Sequence, residues 1–197
     1  MKISSLIILI GSCFITCMVY SQTSNQTKMK IGDHYPKAWV DYKDFKNLVI
    51  ELEKQREERL VSLDVFLKMA KEENVVILDT RSDFRFNRKH LAGAIHLDFT
   101  DFTQENLLKL IPDTNTKILI YCNNNFDGDP IDFASKMAKP KNNIETQILS
   151  NRKPIMLALN IPTHINLYGY GYKNVYELDE LVNINDSRIK FEGTEVK

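Results

Sequence analysis

Val75-Val76-Ile77-Leu78-Asp79 and Lys117-Ile118-Leu119-Ile120-Tyr121-Cys122 are the two stretches that decide the fold. Each is an unbroken apolar run that stops at a polar or reactive side chain. A strand with one wet face alternates apolar and polar residues. A run apolar on both faces therefore predicts a central parallel strand with helices packed on each side. Between the two lie a polar helix over 82–88, a short strand over 94–97 and a helix over 104–110. Upstream, Leu60-Val61 reads as a short strand, with Ser62 as N-cap of a helix over 63–71. Downstream, Asn174-Val175-Tyr176-Glu177-Leu178 reads as one more strand. Strands alternating with helices predict an α/β domain with a mostly parallel sheet. Ligands of such sheets bind beyond the carboxyl ends of the strands, and Cys122 stands at such an end.

North of this unit, Phe45, Leu48, Val49 and Leu52 follow one face of a helix. Glu51, Glu53, Lys54, Arg56 and Glu57 are expected on its solvent side. This predicts an added N-terminal helix. The first 21 residues differ again: Lys2, then an apolar run from about Ile3 to Val19, with no acidic residue before Asp33. That is the layout of a secretory signal peptide, with cleavage expected before Gln22. An uncleaved anchor is a weaker reading, because the run is barely long enough and is diluted by Ser, Thr and Gly. A lipoprotein signal ending at Cys13 is weaker because so few apolar residues precede it. The expected location is periplasmic or secreted, with no stable membrane insertion once the signal is gone.

The 26 basic and 26 acidic residues cancel, so no global field draws the chain to nucleic acid or to anionic membrane. Cleavage would also remove Cys13 and Cys17, leaving Cys122 as the only thiol of the mature chain. An intrachain disulfide and a multi-cysteine metal site are then excluded.

The segment after Cys122 reads Asn123-Asn124-Asn125-Phe126-Asp127-Gly128-Asp129-Pro130. Asn and Gly tolerate the backbone angles of a tight loop that aims successive N–H groups at one point. Asp129 and Pro130 are expected to start a short helix with Ile131, Ala134, Met137 and Ala138 inward. Residues 160–170 form the next helix, with Ile161, Ile165 and Tyr168 at helical spacing.

Asp79-Thr80-Arg81, Phe86, His90-Leu91-Ala92-Gly93-Ala94-Ile95 and Gly171-Tyr172-Lys173-Asn174-Val175 together resemble the rhodanese-like pattern, in the right order around the strand that leads into Cys122. The resemblance covers about residues 59–182. It implies a five-stranded parallel sheet between helices. It also implies that Cys122 carries sulfur: its thiolate takes sulfane sulfur from a donor, becomes a persulfide, and passes the sulfur on. Asn123, Asn124, Asn125, Phe126, Asp127 and Gly128 would then be the loop that cradles substrate. Partners would be a small sulfur-containing donor or an acceptor protein, and no cofactor is expected.

Two departures qualify that reading. Active members carry a cation inside the six-residue loop, and this loop has none. Asp127 and Asp129 would repel an anion and raise the thiol pKa. Phosphatase chemistry would need an Arg where Gly128 stands. Second, about thirty residues, roughly 130–159, are inserted before the connecting helix. Within them Arg152 and Lys153 could replace the missing cation, and Arg81 is a further accessory candidate. His164, on the connecting helix, could reach Cys122 as a base. A calcium loop is not expected: oxygen ligands at Asn123, Asn125 and Asp127 lead to Ala134 where the bidentate acid belongs. Residues 183–197 read as a C-terminal tail. Two functions stay open here: a sulfurtransferase-type enzyme, or a catalytically reduced binding or thiol-relay module.

Overall fold

The computed structural model describes residues 35–135 and 158–196. The chain divides after Val40, and every helix and strand described lies in the unit that begins at Asp41. The expected signal segment, Met137, Ala138, Arg152 and Lys153 lie outside the described residues.

The apolar runs become strands because nothing else buries both faces of so many branched side chains. β1 (Leu60–Val61), β2 (Val75–Asp79), β4 (Ile95–His96), β5 (Lys117–Tyr121) and β7 (Val175–Leu178) form a five-stranded sheet in the order β1-β7-β5-β2-β4. All of its pairings are parallel. β5 is central, and Ile118, Leu119, Ile120 and Tyr121 are fully buried there. At roughly 1.5–3 kcal/mol for each large apolar side chain removed from water, this strand alone anchors the domain. β3 (His90–Leu91) pairs antiparallel with β9 (Phe191–Glu192), and β6 (Phe126–Asp127) pairs parallel with β8 (Val182–Asn183). Residues 183–196 are thus folded against the domain instead of trailing from it, because Ile189 and Phe191 pack into the core.

One face of the sheet carries α2 (Leu63–Met69), with Phe66, Leu119, Tyr121, Phe126 and Phe133 in one cluster. The other face carries α4 (Gln104–Leu110) and α5 (Asn160–Gly169) over Leu78, Ile118, Ile120 and Val175. Side-chain caps open three helices. Ser62 accepts from Val65 N, Thr103 from Asn106 N, and Asp41 from Asp44 N at the start of α1 (Tyr42–Glu57).

α1 packs on α5 as the N-terminal periodicity predicts, but in a shifted register. Leu52 is buried and Leu48 half-buried, while Phe45 remains 42% exposed. Leu48 Cδ2 lies 3.0 Å from where a Cβ on Gly169 would stand, so a side chain there would push the leucine back. Arg56, expected in solvent, points inward because a buried carboxylate, Glu177, draws it there. α3 (Asp83–Arg88) follows β2 directly.

Candidate functional site

Cys122 is the first residue past β5, at the carboxyl edge of the sheet. A single 3-10 turn, Asn123–Asn125, begins there, with the cysteine as its cap. Sγ accepts from Asn124 N at 3.4 Å. The backbone amides of Leu159 and Asn160, at the start of α5, also act on the sulfur and favour its thiolate. The amide ring predicted from one loop is therefore built from two segments far apart in sequence. Only 2% of the cysteine is exposed, and what shows opens on a cavity of about 330 Å³. Arg81, Ser82, Arg85, Asn123, Asn124, Ala134, Ser135 and Leu159 share that lining. Burial pushes the thiol up. The three amides pull the other way, and the charge of Glu177 adds to the rise.

The rest of the predicted cradle does other work. Asn125 is a buried knot: Oδ1 accepts from Cys122 N and Asn160 Nδ2, and Nδ2 donates to Leu178 O and Glu180 O. Phe126 enters the core, since the chain turns away from the sulfur into β6. Asp127 is exposed on that strand. Gly128 has φ +101°, and a side chain there would meet Ile184 Cγ1 at 3.1 Å. Of the six loop residues, only Asn123 and Asn124 line the cavity. The short helix expected from Asp129 is a single turn as far as the described residues go. Asp129 does cap it, accepting from Asp132 N. Ile131, expected inward, is 63% exposed, because Asp132 and Phe133 take the buried places.

Of the two loop acids Asp129 is answered by a cation next to α3, as is Asp132 further on, while Asp127 stays exposed. Lys89 Nζ lies 3.0 Å from Asp129 Oδ2, and Arg88 Nε donates to Asp132 Oδ1 at 2.5 Å. The carboxylate that acts on the thiol is Glu177, not Asp127 or Asp129.

Arg81 is fully spent within the protein. Nε donates to Asp79, Nη2 to Asp79 Oδ2 and Lys89 O, and Nη1 to Asp132 O and Asn123 Oδ1. A guanidinium has five N–H donors, so none is left for a ligand. Tyr121 donates to the same Asp79 carboxylate. Arg85 is different. It is half-buried in the cavity wall, its guanidinium rests on the Phe84 ring, and no described carboxylate pairs with it. It places a cation in the cavity wall from α3. Sequence reading missed it because its partner loop lies some forty residues downstream.

His164 is buried in α5 and turned toward the sheet. Its Nδ1 lies 2.8 Å from Glu177 Oε1, without the alignment of a hydrogen bond. Arg56 grips the same carboxylate through Nε and Nη2, both at 2.6 Å. Burial alone would raise the Glu177 carboxyl. The approach of His164 and the paired Arg56 outweigh it and hold the group below the ordinary carboxylate range. Among the described residues no group of His, Cys, Asp and Glu is arranged to hold a metal ion.

An Asp-x-Arg pair ending β2, a cysteine ending the central strand, and a five-stranded parallel sheet now stand together. The rhodanese-like domain model matches residues 62–180. The chain belongs to the rhodanese-like domain family. Among solved structures, this rhodanese-like chain is similar to the BH2092 protein from Bacillus halodurans at 15% identity. That match covers 76% of this chain and 88% of the other, with a TM-score of 0.38. It is also similar to the Alr3790 protein from Anabaena sp. at 15% identity, covering 69% and 94% of the two chains, with a TM-score of 0.40. No curated protein matches the chain. α1 precedes the residues that match the rhodanese-like domain.

Proposed function

We propose that Cys122 carries sulfane sulfur as a persulfide, in sulfurtransferase-type chemistry on an exported protein. The observation that carries this reading is the position of Sγ. It meets amides from two segments on one side and faces a cavity on the other, whose wall carries the Arg85 guanidinium with no carboxylate partner among the described residues. Amides aimed at sulfur stabilise a thiolate or the terminal sulfur of a persulfide. Arg85 would hold the negative charge of a donor beside it.

The first step balances with a hydropersulfide donor. Sγ attacks the outer sulfur of R–S–SH, an Sγ–S bond forms, and the donor S–S bond breaks. The thiol proton goes to the leaving thiolate, giving R–SH and Cys–S–SH. An acceptor nucleophile then takes the outer sulfur and leaves the Cys122 thiolate. Burial raises the thiol pKa, so the amides around Sγ and proton transfer to the leaving sulfur both help the attacking thiolate to form.

The same burial favours a second reading, a binding or thiol-relay module whose cysteine reacts slowly or not at all. Mass spectrometry after incubation with hydropersulfide and thiosulfonate donors separates the two. The expected result is a gain of one sulfur on the Cys122 peptide, lost in Cys122→Ser. No gain from any donor leaves the binding module. Export rests on residues 1–21, and N-terminal sequencing of the exported protein should begin at Gln22.

A further inference from the structure

α1 lies outside the residues that match the family, yet one of its side chains ends inside the domain. Glu177 sits within β7, 1% exposed, between the sheet and α5. A carboxylate in such a place is stable only when paired and hydrogen-bonded, and an aliphatic residue would fill the space without help. The register pairs Glu177 with Ile120. Cys122 follows two residues later, so thiol and carboxylate project from the same face of the sheet. α5 crosses that face and touches both: His164 lies against Glu177, and Leu159 and Asn160 send amides to Sγ. Thr163 ties the same helix to Thr80 at the end of β2, through hydroxyls 2.9 Å apart.

We propose that α1 is part of the Cys122 site, with Arg56 acting through Glu177 as a positioning residue that sets how readily the thiol reacts. The groups that face the carboxylate are Arg56 from α1, His164 from α5 and Cys122 beyond β5. The sulfur in turn faces Glu177, the amides of Asn124, Leu159 and Asn160, and across the cavity Arg81 and Arg85. Arg81 is committed to Asp79, and Arg85 is on the far wall, so Arg56 is the cation that offsets Glu177. With Arg56 in place, the bidentate pair presents little net charge to the sulfur. Without it, a carboxylate stripped of its guanidinium partner opposes thiolate formation.

This deepens the sulfur-carrier reading and rests on Cys122 being the working group, but its test reads alkylation alone. Full-length protein is treated with iodoacetamide across a range of pH, and modification of the Cys122 peptide is followed by mass spectrometry, apart from Cys13 and Cys17. In Glu177→Gln the half-point of the rate should fall by roughly half a unit, so that alkylation at a fixed pH below it is about threefold faster. In Arg56→Met the half-point should rise, and Arg56→Lys should restore much of the loss. An unmoved half-point in Glu177→Gln overturns the proposal even if Arg56→Met fails to fold. Equal half-points in wild type, Arg56→Met and Arg56→Lys overturn it as well. Intact coupling in a protein that accepts no sulfur would instead overturn the sulfur reading and leave this one standing.

Discussion

Asp79 and Arg81, two residues apart at the end of β2, satisfy each other almost completely within the core. The carboxylate accepts from Arg81 N at 2.9 Å and from the guanidinium at 2.7–3.0 Å. Their remaining bonds reach Tyr121, Lys89, Asn123 and Asp132, so one ion pair ties β2 to β5, α3 and the turn after Cys122.

Removing one partner leaves the other charged and buried. Asp79→Asn and Arg81→Met should each cost about 3–5 kcal/mol in denaturant unfolding. The double substitution Asp79→Leu with Arg81→Met should cost less than the sum of the two singles. Additive losses would mean that the pair is not a unit.

Asn125 makes four hydrogen bonds, which tie the turn to the end of β7, to Glu180 beyond it and to α5. Asn125→Ala orphans a buried amide and a carbonyl and should destabilise by about 2 kcal/mol or more. Because the turn then loses its anchor, Cys122 should also alkylate faster at constant pH. Both are measurable on one preparation.

Among the described residues, the Arg85 guanidinium has no carboxylate partner and rests on Phe84. Arg85→Gln should stay within about 0.5 kcal/mol of wild type in stability. Sulfur loading from an anionic donor, followed by mass, should slow by roughly tenfold, the scale of one lost charge-assisted hydrogen bond. Unchanged loading would move the anion site elsewhere.

Glu177 makes stability depend on pH in a defined direction. Its folded pKa is held below the ordinary 4.5, so its contribution is complete above that value and is lost as the pH falls through the folded pKa. Denaturant midpoints taken from pH 7 down to pH 3 should decline, and Glu177→Gln should flatten the lower part of that curve. The thiol works in the opposite sense. With its folded pKa raised above 9.0, stability is present below pH 9 and is lost as the pH rises toward the folded pKa.

How much of this was legible differs from residue to residue. The apolar runs at 75–78 and 117–121 announce the sheet because burial on two faces leaves a pattern in adjacent residues. Cys122 at the end of such a run places the site for the same reason, and Ser62 marks a helix start because capping acts over three residues. Asn125, Phe126 and Gly128 looked alike as cradle residues, since a string of Asn, Gly and an aromatic does not say which side chain enters the core.

Chain order alone therefore determined the family, the parallel sheet and the position of the sulfur, all of them consequences of short-range pattern and strand-end geometry. Only the folded chain decided which groups surround that sulfur. Arg85 from α3, the amides of Leu159 and Asn160, and the Arg56–Glu177 pair arrive from distant segments. Electrostatics and hydrogen bonding act through space, over a few ångströms. Periodicity along the backbone carries no record of which distant charge will end up there.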